Sequence, residues 1–281
     1  ALPGLLCNLT GRVVSSFEII ALASDHLALI LPKSSLDVVQ THLAKYQPFF
    51  KTQLKEITGD YQLIGLSGKE VPALTSSLVG AWPKNEYLQS ITEQCLVLNL
   101  PGPLPRALVM LKRTAENLAK TLTKLQNLTN QVETDCWHLL DIKMGRAVVD
   151  AGLTDQFLPQ MLNYQATGAV SFKKGCYIGQ EIVARAQFRG QVKKRLHRAH
   201  LTTGELSLPA GVYDTEGKQQ GDIITLAADR RGELEALAVL NQKAIESDTT
   251  LFADPDLKIK LILHKLPYDP TGRKALHGAE A

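Results

Sequence analysis

Apolar residues along the first third of the chain fall in short runs that read as strands. Val13, Val14, Phe17, Ile19 and Ile20 make one β-prone run and residues 27–31 a second, with Ser24-Asp25-His26 between them as a hairpin turn. Ser34 or Ser35 then caps a helix whose apolar residues Leu36, Val39 and Leu43 keep three-to-four spacing. Strand-like runs follow at 54–58 and 61–66, separated by Gly59-Asp60, and again at 94–100 and 106–111. From 112 to 128 the pattern is that of an amphipathic helix with Leu118, Leu122 and Leu125 on one face. Thr134-Asp135 caps a further helix that carries Trp137, runs to Met144 and stops at Gly145.

After Arg189 the texture changes. Short apolar runs are punctuated by Gly204, Gly211, Gly217, Gly221 and Gly232, the pattern of a small antiparallel barrel or sandwich. The expected fold class is therefore α+β followed by a small C-terminal antiparallel β-barrel, with a boundary near 190–194 and domains of 1–190 and 191–281.

Composition narrows the function classes. With 281 residues, 44% hydrophobic and 21% charged, the chain can bury a large interior in one large or two smaller domains. A net charge of +3 argues against wholesale neutralisation of phosphate backbone. The longest apolar runs, 27–31 and 95–98, fall far short of the ~20 residues of a membrane-spanning helix, so no membrane partner is expected. The opening Ala-Leu-Pro-Gly-Leu-Leu-Cys is no secretory signal, and the missing initiator Met suggests a processed or partial start. Cys7, Cys95, Cys136 and Cys176 are scattered without a C-x-x-C, which fits neither a disulfide framework nor a zinc ribbon and points to a reducing cytosol.

Candidate chemistry concentrates in Ser171-Phe172-Lys173-Lys174-Gly175-Cys176-Tyr177-Ile178-Gly179-Gln180-Glu181. Two glycines bracket a Cys-Tyr pair, and residues from Gly179 onward suit a helix with Glu181 in its first turn. The Cys176 sulfur would then lie near a helix N-terminus, where the partial positive charge and Lys173 and Lys174 stabilise a thiolate. Such a thiolate attacks an electrophile or holds a soft metal; the alternative is a small buried hydrophobe in a loop. Residues 173–198 hold eight basic side chains (Lys173, Lys174, Arg185, Arg189, Lys193, Lys194, Arg195 and Arg198) against Glu181 alone, a local net of +7 on an otherwise acidic body. That skew suits a polyglutamyl tail, a phosphate or RNA, or else a solvated face. Trp137 offers a flat face to a planar ligand, or packs in the core. Gly65-Leu66-Ser67-Gly68-Lys69 lacks the spacing of a phosphate loop. His197 and His200 would point to opposite faces of a strand, so no shared metal is expected there. The sequons Asn8-Leu9-Thr10 and Asn127-Leu128-Thr129 carry no meaning in a cytosolic protein.

Residues 171–181 resemble the K-G-C-Y-x-G-Q-E signature of the YgfZ family, folate-binding relatives of the glycine-cleavage aminomethyltransferase. Flanking stretches agree: Gly145-Arg146-Ala147-Val148-Val149-Asp150, Phe157-Leu158-Pro159-Gln160, Arg185-Ala186-Gln187-Phe188-Arg189-Gly190 and Leu266-Pro267-Tyr268. The resemblance spans nearly the whole chain. It implies a folate-binding module with a C-terminal barrel, tetrahydrofolate or a derivative as cofactor, and iron–sulfur enzymes, one of them tRNA-thiolating, as clients. Trp137 matches a family tryptophan linked to folate, and Cys176 matches the signature cysteine, supported by Lys174, Gly175, Tyr177, Gly179, Gln180, Glu181 and Arg185. Family members carry a further β-rich segment, with another folate-associated tryptophan, before the point where this chain begins, and relatives often show Asp where Asn8 stands.

Three functions compete at this point. One is a folate-dependent accessory factor for iron–sulfur enzymes and tRNA modification; the others are a true aminomethyltransferase and an RNA-binding scaffold that uses segment 173–198. Against the transferase stands the pair Ser15-Ser16 where those enzymes carry an acidic pair, because a neutral hydroxyl does not replace a carboxylate. The next acid, Glu18, lies two residues past Ser16, about 6 to 7 Å further along a strand.

Overall fold

The computed structural model describes residues 1–202 and 206–271. In chain order they form β1 (Leu2–Cys7), β2 (Val13–Ala21), β3 (Leu27–Ile30), α1 (Leu36–Ala44), β4 (Tyr61–Ser67), α2 (Val71–Val79), β5 (Gln89–Ile91), β6 (Cys95–Leu100), β7 (Arg106–Lys112), α3 (Leu118–Leu128), α4 (Asp135–Lys143), α5 (Gln180–Phe188), β8 (Lys194–Leu201), β9 (Ala210–Tyr213), β10 (Gln219–Ala228), β11 (Leu234–Asn241), α6 (Gln242–Glu246), β12 (Leu251–Phe252) and β13 (Lys260–His264). Gly204 and the last ten residues of the expected barrel domain lie outside the described residues. Two compact units result: one from 1–2, 18–30 and 40–134, the other from 3–17, 31–39 and 135 onward. The barrel thus begins at β8 but shares its compact unit with 135–190.

The first unit holds an antiparallel sheet in the order β4-β7-β6-β5. Leu66, Cys95, Val97, Ala107, Val109 and Leu111 cluster with Val71 from α2 and Leu125 from α3, and Trp82 packs against them. Two sequence expectations need correction here. Residues 54–58 form no strand; 51–56 are exposed and only a 3-10 turn, Thr58–Asp60, precedes β4. The amphipathic helix starts at Leu118, not near 112, because Lys112 is still in the sheet opposite Tyr61 and its amide donates to the Gln94 carbonyl. The structure adds helix α2, bounded by Pro72 in its first turn and Gly80 at its C-cap.

In the second unit six strands close an antiparallel barrel, β10-β11-β8-β13-β12-β9. Alternation along β11 explains its two-sided burial. Ala236, Ala238 and Leu240 fill the barrel with Leu201, Val212, Ile223 and Leu261, whereas Leu237 and Val239 face out and pack against Leu139 and Ile142 of α4. The hairpin turns are closed by aspartates: Asp214 Oδ1 accepts from the amides of Glu216 and Lys218, and Asp229 Oδ1 from those of Arg231 and Glu233. Tyr268 donates its hydroxyl to the Gly145 carbonyl at 2.6 Å, fastening the segment after the barrel to the end of α4.

Candidate functional site

The loop 171–181 leads into α5, whose inner side is anchored by Val183: that residue is fully buried and its carbonyl accepts from Gln160 Nε2 at 2.7 Å. The helix starts where it does because Gly179 takes φ +77 and lies directly on the turn between β1 and β2. A Cβ on Gly179 would stand 2.5 Å from the Asn8 carbonyl oxygen and 2.7 Å from Gly11 Cα, so backbone meets backbone with no room for a side chain. That turn is stiff. Asn8 Oδ1 accepts from the amides of Thr10 (2.9 Å) and Arg12 (3.0 Å), while its Nδ2 donates to Asp155 Oδ1 (2.8 Å). Arg12 Nη1 donates to the Gln156 carbonyl.

Within the loop the expected residues are brought together. Gln180 and Tyr177 form a reciprocal pair: the Tyr177 amide donates to Gln180 Oε1 (3.1 Å) and the Gln180 amide to the Tyr177 carbonyl (3.2 Å), which satisfies donors at the helix start. Lys174 Nζ stands 4.9 Å from the centroid of the Tyr177 ring, a cation–π contact. Glu181 and Arg185 pair at 2.9 Å on the exposed side of α5. The Tyr177 hydroxyl is buried with no hydrogen-bond partner among the described residues, and its pKa is raised by burial and then by nearby Cys7. Gly175 is exposed, and a Cβ there would meet nothing within 4 Å.

The four cysteines separate by environment. Burial pushes the Cys7 thiol up to about 12, with Lys174 pulling the other way, and the Cys95 thiol up to about 11. Cys136 is half-buried and Cys176 is exposed. Burial of Cys7 at the end of β1 and the placement of Asn8 and Gly11 against Gly179 were not foreseen from sequence, since nothing local to residues 7–11 announces a partner about 170 positions away.

Trp137 sits on a different element, as the third residue of α4. It is half-buried, while Leu139 and Ile142 of the same helix enter the core. Ser15 and Ser16 are both buried and both engage Val149: Ser15 Oγ donates to its carbonyl (3.2 Å) and Ser16 Oγ accepts from its amide (2.9 Å).

The basic segment is less uniform than its composition. Arg198 makes a bidentate pair with Glu235 (2.8 and 2.9 Å), Lys194 reaches Asp222 (3.6 Å), and the half-buried Arg195 donates to the Pro270 carbonyl (2.9 Å). Lys173, Arg189 and Lys193 make no ion pair among the described residues. His197 and His200 have different partners: His197 Nε2 meets the Gln242 side chain at 3.0 Å and His200 Nδ1 meets His264 Nε2 at 2.7 Å. Among the described residues no group of three or more His, Cys, Asp or Glu converges to hold a metal, and no helix is long and apolar enough to cross a membrane.

No family model matches the chain. The tRNA-modifying protein YgfZ of Pectobacterium atrosepticum is 29% identical to it over 271 residues, covering 94% of this chain and 79% of the relative. The protein of the same name from Yersinia pseudotuberculosis is 30% identical over 268 residues, covering 93% and 79%. Among solved structures, the glycine cleavage system aminomethyltransferase T of Bartonella henselae superposes with a TM-score of 0.76 over 96% of this chain and 76% of that one, at 16% identity, a likeness of fold. Identity sustained along most of both chains agrees with the signature loop and its packing: the chain belongs to the family of the tRNA-modifying protein YgfZ.

Proposed function

We propose that this chain is a folate-binding accessory factor in tRNA modification, which supports iron–sulfur enzymes, among them a tRNA-thiolating enzyme, through a tetrahydrofolate site and the Cys176 loop. Family membership and the aminomethyltransferase-like fold support the tRNA and folate parts of this reading. The observation that carries the loop's part is its construction: Gly179, Gln180 and Tyr177 fix the backbone that follows Cys176, Lys174 lies over the Tyr177 ring, and the thiol itself is exposed. Cys176 is the functional thiol, and Lys174, Gly175, Tyr177, Gly179, Gln180, Glu181 and Arg185 support it. Trp137 holds one face of the pterin. Bound reduced folate supplies a carrier for one-carbon units. Free cysteines and the absence of C-x-x-C are in keeping with action in a reducing cytoplasm.

The transferase reading is disfavoured by Ser15 and Ser16, whose hydroxyls are buried and committed to the Val149 backbone, so no carboxylate stands at those positions to assist proton transfer.

The test is titration of the purified chain with tetrahydrofolate, read by tryptophan fluorescence. Quenching in the wild type is expected, and because Trp137→Ala lacks that reporter its affinity is read by equilibrium dialysis: weaker binding with a cooperative thermal transition kept is the expected result, and unchanged affinity in that variant returns Trp137 to a packing role. In parallel, alkylation near neutral pH modifies Cys176 ahead of Cys7 and Cys95, whose raised pKa values keep them as thiols. Full support of tRNA thiolation in cells by Cys176→Ser would remove the thiol from the mechanism.

A further inference from the structure

The exposed stripe of α5 ends in a large aromatic that stands mostly in solvent. Phe188 is 69% exposed and meets Phe172 in a T-shaped contact at a centroid distance of 5.2 Å and an interplanar angle of 70°. Burying a phenylalanine is worth roughly 1.5–3 kcal/mol, so one held out in water beside a second aromatic is a feature that the fold does not use. Its neighbours are cations. Lys173 adjoins Phe172, Arg189 adjoins Phe188, and Lys193 follows four residues later; all three are exposed and outside any ion pair among the described residues. The acid on this stripe, Glu181, is already neutralised by Arg185, one turn before Phe188.

We infer that Phe188, propped by Phe172 and flanked by Lys173, Arg189 and Lys193, is a contact site for single-stranded RNA, with an unpaired base stacked on the Phe188 ring and the neighbouring phosphates on the three cations. Stacking on an exposed ring combined with mobile cations is how proteins hold unpaired nucleotides without reading sequence. Duplex RNA offers no free base face, which excludes it as the occupant. The fixed geometry also separates this surface from the rest of the basic segment: Arg195 and Arg198 are committed to Pro270 and Glu235, so they contribute little. The choice of RNA over an acidic protein rests on the tRNA-modification reading; the aromatic and its cations do not.

The experiment follows binding of a fluorescent oligoadenylate to the whole chain across a salt series, with a duplex of the same length as control. Phe188→Ala should weaken binding by about 5- to 150-fold, the range for loss of one base–aromatic stack. Phe188→Trp should retain affinity and Phe188→Leu should lose it, because leucine keeps the apolar surface without the π face. Removing Lys173, Arg189 and Lys193 together should flatten the slope of log affinity against log salt by about 2, at roughly 0.7 per cation for a single strand. Equal affinity of wild type and Phe188→Ala, or of single strand and duplex, overturns the inference. So does full activity of Phe188→Leu, which would make this an apolar protein-docking patch. Tetrahydrofolate titration of the same preparations keeps the two readings apart: folate binding without RNA binding ends this inference alone, and RNA binding without folate binding ends the other alone. Because Phe188 is exposed, an unchanged thermal transition is expected in every variant.

Discussion

Gly179 and Gly175 belong to one short signature, yet they should respond oppositely to the same methyl group. In Gly179→Ala the new Cβ meets three backbone atoms: Asn8 O at 2.5 Å, Gly11 Cα at 2.7 Å and Gly11 N at 2.9 Å. Regaining even the 3.4 Å of ordinary contact requires the α5 start and the Asn8–Gly11 turn to part by about 0.9 Å. The turn cannot yield cheaply, because Asn8 ties it to Thr10, Arg12 and Asp155. Left-handed backbone costs alanine about 1–2 kcal/mol, and overpacking of this kind a further ~1–3 kcal/mol. The expected loss is about 2–5 kcal/mol, or a fall in the urea midpoint on the order of 1 M. Gly179→Asn tolerates the positive φ better but keeps the clash, so it should recover less than half of the loss. At Gly175 nothing lies within 4 Å of a built Cβ and φ is not left-handed, so Gly175→Ala should stay within about 0.5 kcal/mol of wild type. Chemical denaturation of the three variants, with hydrogen exchange at the amides of α5, decides it. A neutral Gly179→Ala, or a Gly175→Ala as damaging, would refute the packing argument. A stable Gly175→Ala that fails to support tRNA thiolation would mean that the small side chain at 175 serves a partner.

Two further outcomes follow from groups buried around the barrel. Burial, then Arg195, holds His197 down at about 4 against an ordinary 6.5; below 6.5 the unfolded chain takes up a proton that the folded chain refuses, so this group's contribution to stability falls as pH drops from 6.5 towards 4. Between pH 7 and pH 5 that is about 2 kcal/mol, measurable as the part of the pH dependence of urea unfolding that disappears in His197→Gln; an identical slope in both proteins would disprove it. Tyr268→Phe strands the Gly145 carbonyl and removes the longer of the two bonds donated by Asn163 Nδ2, which keeps the Leu196 carbonyl at 2.9 Å, and should cost about 1–3 kcal/mol in the same assay without altering tetrahydrofolate affinity. A loss below about 0.5 kcal/mol would mean that solvent replaces the bond.

What the sequence discloses here tracks the range of the interaction. Hairpins and the barrel are legible because their signals are local: short apolar runs broken by Gly211, Gly217, Gly221 and Gly232 mark strands and turns without reference to a distant partner. Helix α4 is legible for the same reason. Runs that are apolar but unpaired mislead, as 54–58 does, since a strand exists only if a neighbour supplies its ladder. The start of α3 was misplaced by a register, Lys112 opposite Tyr61, that belongs to the sheet and not to the helix.

The candidate site divides along the same line. The signature's residue types mark the loop, and the reciprocal bonds of Tyr177 and Gln180 are three residues apart, within reach of pattern reading. What makes the loop a fixed object is distant: Gly179 against Gly11, Val183 against Gln160, Tyr177 beside Cys7. The charge along 173–198 is divided by the fold for a related reason. A formal net of +7 treats every cation as available, whereas the partners of Lys194 and Arg198 come from β10 and β11. Lys173 and Arg189, left outside those pairs, directly follow Phe172 and Phe188 in the chain, two rings sixteen residues apart whose contact no count of aromatics in the sequence could reveal. The fold therefore does two things to one basic stretch. It engages Lys194, Arg195 and Arg198 of the strand in structure, and it leaves Lys173, Arg189 and Lys193 outside ion pairs among the described residues, on the same stretch as the exposed Phe188 ring, which is why an anionic partner should be sought there and not on the barrel wall.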